Sequence, residues 1–179
     1  RANLAKCMLY AINGGRDEIT GHQIAPSFAP ITSEYLTYDE FMPRFENMMR
    51  WLAKTYVNAL KIIHYMHDKY DYEAFEMALH DGDVERTRAT GIAGLSIVTD
   101  SIAAMTHCKI RIVRDETGLA VDYKIDEGEY VPFGNNNDET DAIAVELTEK
   151  FMEYLRQHRT YRNAIPTQSL LTITSNVVY

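Results

Sequence analysis

Residues 37–66 read TYDEFMPRFENMMRWLAKTYVNALKIIHYM, and this run predicts a long helix. Thr37 and Glu40 have the spacing of a capping box, in which two residues satisfy the free amides at a helix start. Pro43 falls in the first turns, so the helix is expected to begin later than the box implies or to bend there. Apolar residues then recur at helical steps, as they do on the buried side of a helix: Phe41, Phe45, Met48, Leu52, Ala59, Ile63 and Met66.

The residues before this helix predict one short helix and a long loop. Helix-forming residues fill positions 2–12, and Asn13-Gly14-Gly15 supplies the left-handed turn that closes a helix. One glycine and two prolines interrupt residues 16–36, which show little periodicity. Those residues are therefore expected to form a loop that lies across a larger surface.

Residues 72–105 predict two further helices. A short helical run covers residues 72–79 and breaks at Asp81-Gly82-Asp83. Asp83 is then expected to cap a helix that continues through Met105. Glycine, alanine and serine keep one face of that helix narrow, which suits close approach to another backbone, although each glycine costs a helix about 1 kcal/mol.

The region that follows predicts a hairpin and a helix. Residues 109–113 and 119–125 alternate apolar and polar positions about a turn, as two antiparallel strands with one wet face do. Asp138 is expected to cap a helix whose apolar residues form one stripe. The members of that stripe are Ile143, Leu147, Phe151, Met152 and Leu155.

The residues after Pro166 read as a final strand. Thr172, Thr174 and Asn176 alternate with apolar residues, so they share one face of that strand. A polar row of this kind faces either water or an internal cavity, and the alternation alone does not decide between the two.

Composition limits the classes of function. The 179 residues hold 26 acidic against 18 basic side chains, for a net charge of -8, so a nonspecific nucleic-acid surface is not expected. No apolar run approaches the ~18 residues that cross a bilayer, so no membrane partner is expected. The chain begins at Arg1 without a methionine and stops inside an apolar strand. We therefore expect residues 1–179 to be a single segment, truncated at both ends, of a longer chain.

The residues that could bind a metal or act as nucleophiles do not form a complete site. His64 and His67 are three residues apart on the long helix, but no further ligand with a metal-site spacing accompanies them, and contacts with neighbouring tyrosines explain them as well. Cys7 and Cys108 lack C-x-x-C spacing, fit a reducing cytoplasm and occupy positions where a small apolar side chain is usual. The residues alone therefore predict an α+β piece with no complete catalytic set and no metal site.

Several uncommon words of the sequence are more specific. They are RANLAK (residues 1–6), YAINGG (10–15), IIHYMHDKY (62–70), ALHD (78–81), GIAGLS (91–96), TYRNAIPTQS (160–169) and TITSNVVY (172–179). These words, in this order and over the whole chain, closely resemble the pyruvate formate-lyases, a family of glycyl-radical enzymes.

The resemblance implies a fold and a reaction. The fold is α/β, a ten-stranded barrel wrapped in helices, of which this segment supplies a mostly helical α+β part with one hairpin and a C-terminal strand. The reaction converts pyruvate and coenzyme A into acetyl-CoA and formate in anaerobic glucose fermentation. The glycyl radical and the cysteine pair of that family match no residue here, so the segment alone is expected to be inactive and to bind no cofactor. The resemblance also implies a cytoplasmic homodimer and a radical-SAM activating enzyme as partner.

One functional residue follows from the resemblance. Arg1, in the RANLAK word, matches the family arginine that pairs with the pyruvate carboxylate. A guanidinium can hold a carboxylate in two parallel hydrogen bonds, which fixes the ketone beside the reactive sulfur. If the last strand belongs to the barrel, the row of Thr172, Thr174 and Asn176 is expected to face the cavity.

Two alternatives remain open at this point. A relative that prefers 2-ketobutyrate presents the same carboxylate and ketone to Arg1, and one methylene changes pocket binding by only ~1–3 kcal/mol. A noncatalytic scaffold segment is the alternative from another class.

Overall fold

The computed structural model describes residues 1–80, 82 and 84–170. Their helices are α1 (Leu4–Ile12), α2 (Tyr38–Asp68), α3 (Tyr72–Met77), α4 (Leu95–His107) and α5 (Asp138–Arg156), with a 3-10 turn at Tyr161–Asn163. Their strands are β1 (Ala2–Asn3), β2 (Tyr35–Leu36), β3 (Thr87–Ala93), β4 (Lys109–Arg114), β5 (Ala120–Glu127) and β6 (Ile165–Leu170). The three-stranded sheet β1-β3-β6 is parallel, and the sheet β2-β4-β5 is antiparallel.

The long helix α2 confirms Thr37 as the helix cap and the first half of the apolar stripe, whereas the Glu40 carboxylate accepts a hydrogen bond from the Ser33 hydroxyl and does not complete the capping box. The Thr37 hydroxyl accepts a hydrogen bond of 3.4 Å from the Glu40 amide, and the helix runs past Pro43 from its start at Tyr38. The second half of the stripe was predicted wrongly, because Ile63 is 50% exposed and Met66 is 44% exposed. The helix has 31 residues, about 46 Å at its ordinary rise, so its last turns extend beyond the core.

The predicted helix from Asp83 to Met105 is wrong in its first half, where residues 87–93 form strand β3, and is confirmed from Leu95, where α4 begins. The β-branched residues of this segment favour a strand, while its two glycines penalise a helix. Gly94 makes the turn between them with a φ of 78°. A Cβ on Gly94 would lie 2.9 Å from the Cβ of Ala5, so the glycine allows β3 and α4 to pack closely on α1.

The parallel sheet was not anticipated. Ala2 pairs with Ile92, and Thr90 pairs with Gln168, so β3 is the middle strand. The N-terminal helix begins at Leu4, two residues later than predicted, because residues 2–3 form strand β1. The Asn3 side chain caps the helix by accepting a hydrogen bond of 2.9 Å from the Lys6 amide. Helix α1 thus follows β1, and α4 follows β3.

The hairpin and the last helix agree with the sequence. Strands β4 and β5 pair antiparallel, with Ile112 opposite Tyr123. Asn137, one residue before the predicted cap, accepts the Thr140 amide and starts α5. The stripe of α5 is buried at Leu147, Phe151, Met152 and Leu155, and Ile143 is partly buried against the same core.

The main core lies between the helices and one face of each sheet. The rings of Phe41 and Phe45 stack at 5.0 Å within it, and Leu4, Ile92 and Phe151 have no exposed surface. The predicted α/β class is confirmed. The described residues do not close a barrel by themselves. No helix among them is both long and apolar enough to cross a membrane.

Candidate functional site

The parallel sheet has one covered face and one open face. Side chains alternate along a strand, so Arg88, Thr90 and Ile92 of β3 point to the same side. That side is covered by α2: the Arg88 guanidinium donates a hydrogen bond of 3.0 Å to the Leu60 carbonyl. The opposite side, which we call the open face, carries Thr87, Ala89, Gly91, Ile165, Thr167 and Ser169, all exposed or half-exposed.

Arg1 is exposed and directly precedes β1, in which Ala2 is buried opposite Ile92. By strand alternation we expect the Arg1 side chain to point to the open face. One step back from the Ala2 and Ile92 pair is Gly91, whose partner in β6 is Ser169. Arg1 is therefore beside the middle of β3, where the neighbouring position has no side chain.

Tyr56 of α2 binds the backbone of β3 from the covered face of the sheet. Its hydroxyl donates a hydrogen bond of 3.2 Å to the Gly91 carbonyl. Burial raises the pKa of Tyr56, and the positive charges of Arg88 and Arg1 oppose that rise. The phenol therefore stays protonated at neutral pH and can keep donating to β3.

This arrangement suits recognition of a small carboxylate. The Arg1 guanidinium offers a planar pair of N–H donors, which matches the two oxygens of a carboxylate. Thr167 and Ser169 place hydroxyl groups on the same face of the sheet. Thr172, Thr174 and Asn176, the other residues predicted to face a cavity, lie outside the described residues.

A buried group of charges lies at the other end of α2. Asp68 and Glu73 are only 7% and 8% exposed, and both face basic side chains. The Arg162 guanidinium contacts Asp68 at 2.8 Å and Glu73 at 3.2 Å, and Arg86 contacts Glu73 at 3.0 Å. His64 completes the group through its Nε2 atom, 2.5 Å from Glu73. We call these five residues the ionic cluster.

The charges of the ionic cluster depress the pKa values of its acids. Burial alone would raise the pKa of Glu73, but hydrogen bonds from His64 and Arg86 and the charge of Arg162 hold it below its ordinary value. The hydrogen bond from Tyr161 does the same for Asp68, whose pKa is also lowered. Both acids are therefore ionised at neutral pH and fix the turn that leads into β6.

The ionic cluster is not apparent from the sequence. Its residues come from α2, α3, the approach to β3 and the turn before β6, so no spacing along the chain connects them. Two of its members, His64 and Asp68, lie in IIHYMHDKY, and that motif gives no indication of Glu73, Arg86 or Arg162 as their partners. Arg162 adopts a φ of 49°, a backbone conformation that its two ion pairs stabilise.

His64 and His67, the two histidines considered as metal ligands, contact different residues. His64 bonds to Glu73, whereas the ring of His67 packs edge-on against Tyr72 at 6.1 Å. Within the described residues, no three histidine, cysteine or acidic side chains are grouped as metal ligands would be.

The two cysteines differ in their surroundings. Cys7 is buried in α1, and burial raises the pKa of its thiol well above the ordinary value. A thiol that stays protonated is a poor nucleophile. Cys108 follows α4 and is half-buried. Neither residue adjoins Arg1 in the sheet.

The whole chain is similar to known proteins. The family model described as pyruvate formate lyase-like matches residues 1–179. Formate acetyltransferase 1 of Escherichia coli K12 is 60% identical over 179 residues, which are 100% of this chain and 23% of that protein. The chain thus spans about a quarter of the length of this relative.

Solved structures share the fold at low identity. The structure described as 1,2-propanediol dehydration in Roseburia inulinivorans has a TM-score of 0.73 at 18% identity, covering 98% of this chain and 26% of that one. A glycyl radical enzyme from Archaeoglobus fulgidus has a TM-score of 0.66 at 18% identity, covering 93% and 24%. The glycerol dehydratase of Clostridium butyricum has a TM-score of 0.65 at 20% identity, covering 93% and 24%.

Proposed function

Because this chain belongs to the pyruvate formate lyase-like family, we propose that it forms part of a glycyl-radical acyltransferase. The proposed reaction converts pyruvate and coenzyme A into acetyl-CoA and formate, in a cytoplasmic homodimer that a radical-SAM enzyme activates. The 60% identity to a formate acetyltransferase supports this assignment over the whole chain. The likeness to dehydratases at 18–20% identity supports the fold only.

The role of this segment is to hold the substrate, not to supply the radical. The glycyl radical supplies the one-electron chemistry of such enzymes, and no residue of this chain matches it. Arg1 binds the carboxylate of pyruvate on the open face and so fixes the position of the ketone. The observation that supports this role is that the exposed Arg1 directly precedes β1, whose Ala2 pairs with Ile92 of β3.

Exposed apolar side chains support the view that this segment packs against further polypeptide. Phe75 and Leu79 are 80% and 84% exposed, and Tyr70 is 76% exposed. Contiguous apolar surface of this kind is uncommon on an isolated soluble domain. The last turns of α2, together with α3, therefore form a surface suited to burial in a larger enzyme.

The experiment is steady-state kinetics of the activated enzyme that contains this segment, with Arg1→Lys as the variant. Lysine keeps the charge but loses the paired donors, so we expect a loss of roughly 2–5 kcal/mol in substrate interaction, seen as a fall in kcat/KM for pyruvate. Arg156→Lys, on the exposed side of α5, is the matched control and should leave the kinetics unchanged. Unchanged kinetics in Arg1→Lys would remove Arg1 from the site.

The same assay addresses the acyl preference. Pyruvate and 2-ketobutyrate present the same carboxylate to Arg1, so Arg1→Lys should lower kcat/KM for both by a similar factor. A loss confined to one substrate would show that Arg1 reads the acyl group instead of the carboxylate.

A further inference from the structure

A small, partly open cavity lies between α2, the covered face of the parallel sheet and the turn before β6. Its volume is about 10 Å³, close to the least space that an internal water needs. The side chains of α2 on one wall are Val57, Leu60, Lys61 and His64, and the opposite wall comprises Arg88, Thr90, Thr160, Tyr161 and Pro166. The cavity lies on the covered face of the sheet, to which Arg88 and Thr90 point.

Two nitrogen atoms of the cavity walls are buried without a hydrogen-bond partner among the described residues. They are Nδ1 of His64 and Nε of Arg88. A buried polar atom left unpaired costs about 1–3 kcal/mol, so each of these two nitrogens calls for a hydrogen-bond partner.

The two nitrogens have complementary roles. Nε2 of His64 lies 2.5 Å from the Glu73 carboxylate, so it carries the proton and donates it. In a neutral imidazole the other nitrogen, Nδ1, is then an acceptor. Nε of Arg88 is always a donor, because a guanidinium has no acceptor. The partner must therefore accept from Arg88 and donate to His64.

Two hydroxyl groups can receive a further hydrogen bond. Thr90 donates to the Thr167 carbonyl at 2.7 Å, and Thr160 donates to the Ala164 carbonyl at 2.6 Å. Each hydroxyl oxygen keeps lone pairs for a donor in the cavity. A partner with two donated hydrogens and one accepted hydrogen can thus form three bonds, the number typical of internal waters.

We propose that this cavity is the binding site of one ordered water molecule, which accepts a hydrogen bond from Arg88 Nε and donates one to His64 Nδ1. The water joins α2 to the middle strand of the sheet and extends the ionic cluster, since His64 belongs to both. A chloride ion would satisfy Arg88 but would face the lone pair of His64, so it does not match the donor pattern.

The test is a crystal structure of the protein at a resolution that shows ordered waters, together with nitrogen NMR of the His64 ring. We expect one density peak within hydrogen-bond distance of both nitrogens, no anomalous signal there after a bromide soak, and an unprotonated Nδ1. Absence of the peak, a bromide signal in its place, or a protonated Nδ1 would each overturn the proposal.

Variants test the donor. Arg88→Met keeps the length of the side chain but removes Nε–H, so we expect loss of the peak and a changed Nδ1 resonance. Arg156→Met on the surface of α5 should retain both features of the wild-type protein. A peak that survives unchanged in Arg88→Met would overturn the role of Arg88. Should Arg88→Met not fold, the wild-type density and the His64 resonance still decide the matter.

Discussion

The Tyr161 hydroxyl donates a hydrogen bond of 2.7 Å to the carboxylate of Asp68, which lies 93 positions earlier in the chain. This bond connects the end of α2 to the turn before β6. It is the largest cause of the lowered pKa of Asp68, with the charge of Arg162 adding to it. The turn that starts β6 is therefore held by a carboxylate that must remain ionised.

We predict that Tyr161→Phe moves acid unfolding to higher pH. The folded-state pKa of Asp68 lies below its unfolded value, so the stabilisation is complete above the unfolded pKa, near 4, and is lost as the pH falls through the folded pKa. Loss of the phenol hydrogen bond raises the folded pKa and narrows that window. Circular dichroism against pH measures the midpoint, and the exposed Tyr70→Phe should leave it unchanged.

Glu73→Gln should destabilise the ionic cluster. The substitution removes the charge that faces Arg86, Arg162 and His64, and it leaves basic groups without their partner. Hydrogen bonds to charged groups contribute about 1.5–3 kcal/mol, so we expect a loss of that order in the free energy of unfolding. Urea denaturation measures it, with the exposed Glu76→Gln on the same helix as the control. Equal stabilities of the two variants would contradict the prediction.

Gly94→Ala should cost more stability than Gly118→Ala. Both glycines have a left-handed backbone, with φ values of 78° and 83°. Alanine at Gly118 would meet nothing within 4 Å, so only the backbone strain, roughly 1–2 kcal/mol, applies there. Alanine at Gly94 would also press on Ala5, which raises the expected loss to roughly 2–4 kcal/mol. Thermal denaturation of both variants compares the two losses, and similar melting temperatures would refute the close packing of β3 on α1.

Alkylation should distinguish the two cysteines. Cys7 is buried and burial raises the pKa of its thiol, whereas Cys108 is half-buried. Because the thiolate is the reactive form, iodoacetamide should label Cys108 first in the native protein. Peptide mass spectrometry against time gives the order, and both should react at similar rates in denaturant. Faster labelling of Cys7 in the native state would show that α1 opens.

The elements predicted from sequence are those with a strong local pattern. The stripe of α2 and the alternation in β4 and β5 each repeat within one segment, so the period alone identifies them. Strand β3 was not predicted, because the small residues Gly91, Ala93 and Gly94 also fit the narrow face of a helix. Its partners Ala2 and Gln168 lie far away in the sequence, and that pairing decides the strand.

The candidate site was predicted in part. Resemblance alone pointed to Arg1, and no periodicity would have selected it. Its position beside Gly91 depends on the parallel pairing of β1 with β3. A strand of two residues is too short to show an alternating pattern in the sequence, so this pairing could not be predicted. The ionic cluster was missed for a related reason, since acidic residues such as Asp68 and Glu73 are usually solvated and only tertiary structure buries them.

The pairing of β1 with β3 has a thermodynamic consequence for the proposed binding of a carboxylate by Arg1. Residues 2–3 are pinned to β3, and Tyr56 pins β3 to α2, so the main chain next to Arg1 is already ordered before any anion arrives. In the proposed role of Arg1, only the torsions of its side chain then have to be frozen when a carboxylate binds, a cost of about 0.5–1.5 kcal/mol. Such preorganisation leaves most of the attraction between guanidinium and carboxylate to appear as affinity.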